Sequence, residues 1–179
     1  KQQSDDARND FIKDWKKLEE TCEKIFHPSI GTPMDDLFAR YMYYIRAKRD
    51  NNKSTTTESL RKFYERDKYS VLKQDGTFDD LKDLAQFWED IADQNAERFD
   101  STILRKLFTL NYAPNSMWSY FVSVYYMENR DENGSLDVEK FSQFLARTIA
   151  FVWGYAVVHP GVNALRTPLF AEMINVVND

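Results

Sequence analysis

Aromatic side chains recur at helical spacing along this chain, and that pattern constrains its fold more than any other feature. Phe, Tyr and Trp make up 15% of the 179 residues, whereas the chain has 5 Gly, 2 His and 1 Cys. A spacing of three or four residues places most of these rings on one face of a helix, where they can be buried. The spacing therefore favours an all-α fold with an aromatic core. The low His and Cys content argues against a catalytic or metal site built from those residues.

Caps and breaks divide the chain into seven or eight predicted helices, and we find no hairpin signal or fixed-period repeat. The segment Thr32-Pro33-Met34-Asp35 combines an N-cap, a proline in the first turn and an acid at the capping-box position. The polar stretch 50–57 predicts a mobile loop. The remaining helices are expected to begin near Ser4, Leu60, Thr77, Ser101, Asn115 or Ser116, Leu136 and Leu165.

One predicted helix, from Leu136 to Val158, is apolar on every side after Thr148. Such a helix is typical of the centre of a bundle. Gly154 within it predicts a close approach by a neighbouring helix, since Gly is otherwise unfavourable there. The apolar stretch 149–158 is much shorter than the roughly 20 residues that span a bilayer, so we predict no membrane segment.

Charge and cysteine content restrict the class of protein. The net charge of −5 and the pI near 5.2 argue against a protein whose whole surface binds nucleic acid. The single Cys22 cannot form an internal disulfide, which favours a reducing, cytoplasmic location. Because the chain starts at Lys1 rather than Met, we expect residues 1–179 to be one helical domain cut from a larger protein.

The charge is unevenly distributed along the chain. Segment 40–73 has ten Lys or Arg against four Asp or Glu, whereas segment 75–100 has two against nine. The two segments are predicted either to face and neutralise each other or to leave the first one free as a phosphate-binding surface. In the second case the candidate DNA contacts form a basic block, defined as Arg40, Arg46, Arg49, Arg61, Lys62 and Arg66.

Two acidic segments resemble metal sites but are interpreted otherwise. Segment 129–137 has the glycine of a calcium loop, but Lys140 stands where a closing Glu is required, so we predict a polar turn. Asp79, Asp80 and Asp83 lie in the first turns of a helix, where acids favour the helix dipole. The sequence therefore predicts no metal site, cofactor site or catalytic residue.

A polar cluster near the end of the chain has two interpretations. Asn163, Arg166 and Thr167 follow a Pro-Gly turn and lie close in sequence to the most apolar helix. Arg166 is expected either to pair with a buried carboxylate such as Glu172 or to project towards a partner or phosphate. If this segment completes a nuclease or nucleotidase active site across a domain boundary, Arg166 and Arg105 would act as cations that stabilise the transition state.

Four stretches together carry a family resemblance: FIKDWKKLEETCEKIF from Phe11, LFARYMYYIRAK from Leu37, LRKLFTLNYAP from Leu104 and NALRTPLFAEM from Asn163. They resemble the helical region that follows the ParB-like N-terminal domain in GmrSD-type proteins, which are modification-dependent restriction and phage-defence endonucleases. The resemblance spans nearly the whole chain. Neither the family's Asp-Gly-Gln-Gln-Arg motif nor its His-Asn-His nuclease motif occurs here.

The resemblance implies a non-catalytic helical module that supports a ParB-like domain, within a parent protein that acts as an endonuclease or NTPase. The implied partner is the rest of the parent chain; contact with DNA and formation of a homo-oligomer are left open. The alternative is a segment that completes a nuclease or nucleotidase site across a domain boundary. A third hypothesis is a protein–protein assembly module, because exposed aromatic residues are enriched at interfaces.

Overall fold

The fold is built entirely from helices over the part of the chain that the structure describes. The computed structural model describes residues 2–49, 59–159, 161 and 163–178, with side chains from residue 6 onward; the predicted loop 50–57 lies outside them. These residues form eight α-helices and no β-strand. The all-α, multi-helix bundle predicted from the spacing is confirmed. The helices are α1 (Gln2–Ile25), α2 (Pro33–Lys48), α3 (Leu60–Glu65), α4 (Thr77–Ala92), α5 (Ser101–Leu110), α6 (Met117–Asn129), α7 (Val138–Val158) and α8 (Arg166–Asn178).

The start of α2 confirms the capping box. The Thr32 hydroxyl accepts a hydrogen bond from the Asp35 backbone N–H at 3.1 Å, and the Asp35 carboxylate accepts one from the Thr32 N–H at 2.8 Å. Pro33 occupies the first turn, where it has no hydrogen bond to lose. These local contacts fix the start of the helix that carries the centre of the candidate site.

Of two other helix starts, one agrees with the prediction and one differs from it by one residue. Helix α5 begins at Ser101 as predicted, and the Asp100 carboxylate caps it by accepting the N–H groups of two first-turn residues, each at 2.8 Å. Thr77 lies inside α4, and Gly76 precedes it with a φ of 84° that favours glycine. The Thr77 hydroxyl instead donates to the Val71 carbonyl at 2.9 Å.

Two helices, α2 and α6, form the centre of the bundle. Helix α2 packs against α1, α3, α4, α6 and α8, and α6 packs against α2, α4, α7 and α8. Residues 117–119 and 121–127 of α6 are all buried. Helix α6 is therefore enclosed on nearly every side, which explains why its aromatic and aliphatic residues show no polar face.

The predicted apolar helix is present as α7, but its predicted central position is wrong. Its buried residues form one stripe, Phe141, Leu145, Thr148 and Val152, and among the described helices it packs mainly against α5 and, less extensively, against α6. Val157 near its end is 82% exposed. The all-round apolar pattern of its second half therefore reflects an uncovered end rather than enclosure by neighbours.

The expected close approach at Gly154 is also wrong. A Cβ atom placed on Gly154 would have no atom from any other described helix within 4 Å. Gly154 is exposed on α7, so none of the described helices requires a glycine at this position.

The one-sided packing of α7 predicts unequal effects of two truncations. Phe141→Ala, which removes a fully buried ring, is expected to lower the free energy of unfolding by about 3–5 kcal/mol. Val157→Ala, at an exposed position, is expected to change it by less than about 0.5 kcal/mol. Chemical denaturation of both variants measures the difference. Similar losses for the two variants would contradict the one-sided packing.

Candidate functional site

The centre of the candidate site is a buried ion pair on α2. The Arg40 guanidinium donates from Nε and Nη2 to one carboxylate oxygen of Asp36, at 3.1 and 2.8 Å. The two residues are one helical turn apart, so α2 itself sets their geometry. Their side chains are only 8% and 11% exposed, which makes this pair unlike an ordinary surface salt bridge.

Polar groups from α6 satisfy the other atoms of this pair. The Tyr120 hydroxyl donates to the second Asp36 oxygen at 2.6 Å, and Arg40 Nη1 lies 3.4 Å from the Ser123 hydroxyl oxygen. Ser123 in turn accepts the Trp88 indole N–H at 2.9 Å and donates to the Ser119 carbonyl at 2.8 Å. The pair thus joins α2, α4 and α6 in one buried network.

Aromatic rings enclose the Arg40 guanidinium. Its central carbon lies 4.6 Å from the Phe26 ring centroid, 4.5 Å from that of Trp88 and 5.1 Å from that of Tyr120. Contacts of this kind stabilise a desolvated cation through the negative face of each ring. The sequence analysis missed both the ion pair and this cage; the four-residue spacing of Asp36 and Arg40 is a usable signal for the pair but not for the cage.

Two clefts meet at Arg40. The first, here the tryptophan cleft, has a volume of about 750 Å³, and Trp88, Trp118, Arg105 and Phe108 are among its lining residues. The second, here the asparagine cleft, has a volume of about 610 Å³. Its lining includes His27, Asp36, Asn115, Tyr120, Asn163 and Arg166. Ile25, Phe26, Arg40 and Ser116 line both clefts, so the two clefts are adjacent.

Three of the predicted polar residues line one or the other of these two clefts. Asn163 and Arg166 line the asparagine cleft, and Arg105 lines the tryptophan cleft. Thr167 is exposed at the start of α8 and lines neither cleft. Glu172, the carboxylate suggested as a partner for Arg166, is exposed and accepts a hydrogen bond from Asn175 at 3.3 Å.

The predicted basic block divides into buried and exposed members. Arg40 and Arg46 are 6% and 2% exposed, so neither is available for contact with a phosphate group on DNA. Arg46 lies instead with its guanidinium carbon 4.8 Å from the Phe170 ring centroid on α8. Contact between DNA and the exposed members stays a prediction; these are Arg49, Arg61, Lys62 and Arg66.

The expected neutralisation of the basic segment by the acidic segment is not seen in the ion pairs of the described residues. Glu89 and Asp93 pair with Lys24 on α1, at 3.0 and 2.6 Å. Asp90 pairs with Arg98, inside the acidic segment itself, and Asp80 pairs with Arg130 beyond it. The cations of these pairs therefore lie within the acidic segment itself, on α1 and at Arg130, and not in the basic segment.

The segments that resemble metal sites have other roles. The three acids in the first turns of α4 each pair with a cation. Asp79 pairs with Lys82 at 2.8 Å, and both Asp80 and Asp83 pair with Arg130. No group of three potential metal ligands occurs among the described residues.

Segment 129–137 forms a polar turn. The Asp131 carboxylate accepts the backbone N–H groups of Asn133 and Ser135, at 2.9 and 2.8 Å. Asp137 then caps α7 by accepting the Lys140 N–H at 2.9 Å. The interpretation as a turn that precedes a helix is confirmed, since the acids are used to close backbone hydrogen bonds.

Burial shifts the pKa of several groups around the site upward. Desolvation and the nearby Asp36 charge raise the pKa of the Cys22 thiol from 9.0 to about 12. Burial, followed by the charge and hydrogen bond of Asp36, raises the pKa of Tyr120. Burial likewise raises the pKa of Tyr41 and of Tyr64. All these groups are therefore neutral in the folded protein near neutral pH.

No protein-family model matches this chain, and no match is found among curated proteins or solved structures. The resemblance to GmrSD-type proteins therefore stays a prediction.

The ion pair predicts a large effect of removing its negative partner. Asp36→Asn leaves the Arg40 charge buried without a counter-charge and is expected to lower the free energy of unfolding by about 3 kcal/mol. Glu65→Gln removes the partner of Arg61, whose side chain is 87% exposed, and is expected to cost less than about 0.5 kcal/mol. Urea denaturation measures both. Equal, small losses would show that the buried pair contributes little to stability.

The raised pKa values predict loss of stability in alkali. The folded protein holds the Cys22 and Tyr120 protons more tightly than the unfolded chain, whose values are near 9.0 and 10.0. Stability from these groups is fully present below about pH 9 and falls as the pH rises towards about 12. Thermal midpoints measured by circular dichroism between about pH 8 and about pH 11 test this. A constant or rising midpoint across that interval would refute the prediction.

Proposed function

We propose that this chain is a non-catalytic helical module of a larger restriction or phage-defence protein in the cytoplasm. We further propose that the module binds the neighbouring ParB-like domain of that protein through the apolar end of α7, defined as residues 149–158. The resemblance supplies the kind of protein and the kind of partner. The observation that carries the binding surface is the exposure of this apolar end.

The apolar end of α7 has the composition of an interface, and the described residues cover only part of it: Val152 is buried, whereas Gly154, Val157 and Val158 are exposed. It contains no Asp, Glu, Lys or Arg. Val157 and Val158 are 82% and 69% exposed, and Phe151, Trp153 and Tyr155 are only partly buried. Contiguous exposed apolar surface marks interaction sites, and aromatic residues are enriched at the centre of interfaces.

A protein partner fits this surface better than a bilayer. Helix α7 is long and apolar enough, by length and composition, to cross a membrane. Its first half, however, carries Glu139, Lys140 and Arg147 and packs against α5 and α6 through Phe141 and Leu145. Only the second half is free of charge, and it is too short to span the hydrocarbon layer, which needs about 20 residues.

A double substitution in the full-length protein tests this surface. Val157→Glu with Val158→Glu introduces two charges that must be desolvated on docking. We expect the variant to have a larger radius of gyration by small-angle scattering and faster proteolysis between its domains. The isolated chain should keep its thermal midpoint, because both positions are exposed. Ile30→Glu, at a 92% exposed position away from α7, is the control and should change neither measurement.

Other outcomes would identify other occupants. Sedimentation velocity on the isolated chain would reveal a dimer that the double substitution dissociates, which would make a second copy the partner. Flotation of the isolated chain with lipid vesicles would make the membrane the partner. Either result, or an unchanged scattering profile of the full-length variant, would overturn docking of the neighbouring domain.

A further inference from the structure

We propose that residues 60–74 form a two-state element that switches between the bent form seen here and one continuous helix that extends α3. The bend lies directly after α3, around a short 3-10 turn at Arg66–Lys68. Three consecutive residues there have a left-handed backbone: Asp67, Lys68 and Tyr69, with φ angles of 48°, 56° and 65°. The element is distant in sequence from the apolar end of α7, and its switching does not depend on docking at that surface.

The left-handed turn is unfavourable for these side chains. In this conformation the Cβ atom of an L residue crowds the following carbonyl oxygen, so mainly Gly, and at times Asn or Asp, adopts it, and then singly. Lys68 and Tyr69 belong to neither class. Among the other described residues, only Gln94 is a non-glycine residue with a positive φ, and its neighbours do not share it. Strained backbone of this kind persists where surrounding contacts hold it, and it is common in switch regions.

The sequence of this segment favours an unbroken helix. Residues 60–74 contain no Gly or Pro, and most of them are Leu, Arg, Lys, Glu or Gln, which favour helices. The apolar residues recur at the spacing of one helical face: Leu60, Phe63, Tyr64, Val71 and Leu72. Local preference and the observed backbone therefore disagree here, which gives the bent form a competitor of similar free energy.

Contacts of Val71 hold the bend against the core. Its side chain is 3% exposed, and it is the one buried residue between positions 65 and 76. Its carbonyl accepts a hydrogen bond from the Thr77 hydroxyl at 2.9 Å. Because Thr77 lies in the first turn of α4, these contacts tie the bend to the start of that helix.

Straightening would uncover the start of α4. Val71 would leave the core, and the Thr77 hydroxyl would lose its acceptor. Thr77 is 3% exposed, and a buried hydroxyl without a partner is costly, so the first turn of α4 would loosen. A partner that binds this uncovered surface would select the straight form, since a ligand shifts an equilibrium towards the state that it binds better.

Matched substitutions at Lys68 test the strain. Lys68→Gly removes the Cβ atom and favours the bent form, whereas Lys68→Ala keeps that atom and favours a right-handed helix. The unfolding equilibrium constant is expected to be about fivefold to tenfold smaller for Lys68→Gly than for Lys68→Ala. At exposed Ala146, within right-handed α7, Ala146→Gly should instead raise the constant about fivefold. Destabilisation by glycine at both positions, relative to alanine, would contradict the strained turn.

Relaxation dispersion of backbone nuclei in the intact chain measures the exchange itself, because it detects minor states on the μs–ms timescale. We expect dispersion across segment 66–77, with minor-state carbon shifts of a right-handed helix at residues 67–69. Minor-state shifts of an unfolded chain, or no dispersion in this segment, would overturn the two-state element.

Two further substitutions separate the buried anchor from the exposed residue beside it. Val71→Ala removes methyl groups that the bent form buries and is expected to raise the minor population about fivefold or more. Leu72→Ala, at a residue that is 41% exposed, should change it by less than about threefold. Lys68→Gly should lower it about fivefold or more without touching the core, so it tests the switch even if Val71→Ala fails to fold. Equal effects of Val71→Ala and Leu72→Ala would overturn the proposal that Val71 holds the bent form.

Discussion

The buried pair of Arg40 and Asp36 is the interaction on which the rest of the structure depends. Removing two charges from water is costly, and the cost is offset only when every polar atom finds a partner. Here the partners come from other helices: Tyr120 and Ser123 from α6, and Trp88 from α4. Because the pair tolerates few other arrangements, it restricts α2, α4 and α6 to one mutual packing.

The same residues shape the surface available for binding. Arg40 lies at the centre of the fold and also lines both clefts, so the clefts are held by the interior rather than by loops. The apolar end of α7 differs, because that helix packs mainly against α5 and α6 among the described helices and its last residues are exposed. The clefts are therefore preorganised by the core, whereas the end of α7 is only partly covered.

Local signals predicted much of the fold, whereas burial of single residues depended on distant partners. Helix α2 begins where Thr32, Pro33 and Asp35 predict, because a capping box acts within four residues. The burial of Arg40 follows from contacts such as that with Ser123, which lies 83 residues further along the chain. The excess of Lys and Arg in segment 40–73 led to the prediction that Arg40 is part of a basic surface. No local sequence pattern predicts the aromatic cage.

The prediction of a central position for α7 is wrong for a similar reason, because burial depends on which other elements pack against the helix. An apolar run records that a segment avoids water, but not whether this chain or another molecule supplies the cover. No local pattern predicts the clefts. The sequence groups Asn163 and Arg166 as a polar cluster, but the packing of helices that are distant in sequence places them in one cleft and Arg105 in the adjacent one.

The network around Arg40 also has an evolutionary consequence. Replacing Asp36 alone leaves a buried cation without a counter-charge, and replacing Arg40 alone leaves a buried carboxylate without one. Each single substitution therefore produces a destabilised protein. Tyr120 and Ser123 are bound to the same constraint through their hydrogen bonds. Among descendants of one ancestral chain, these four positions should therefore be inherited as a block, while the exposed end of α7 is free to diverge with whatever molecule covers it.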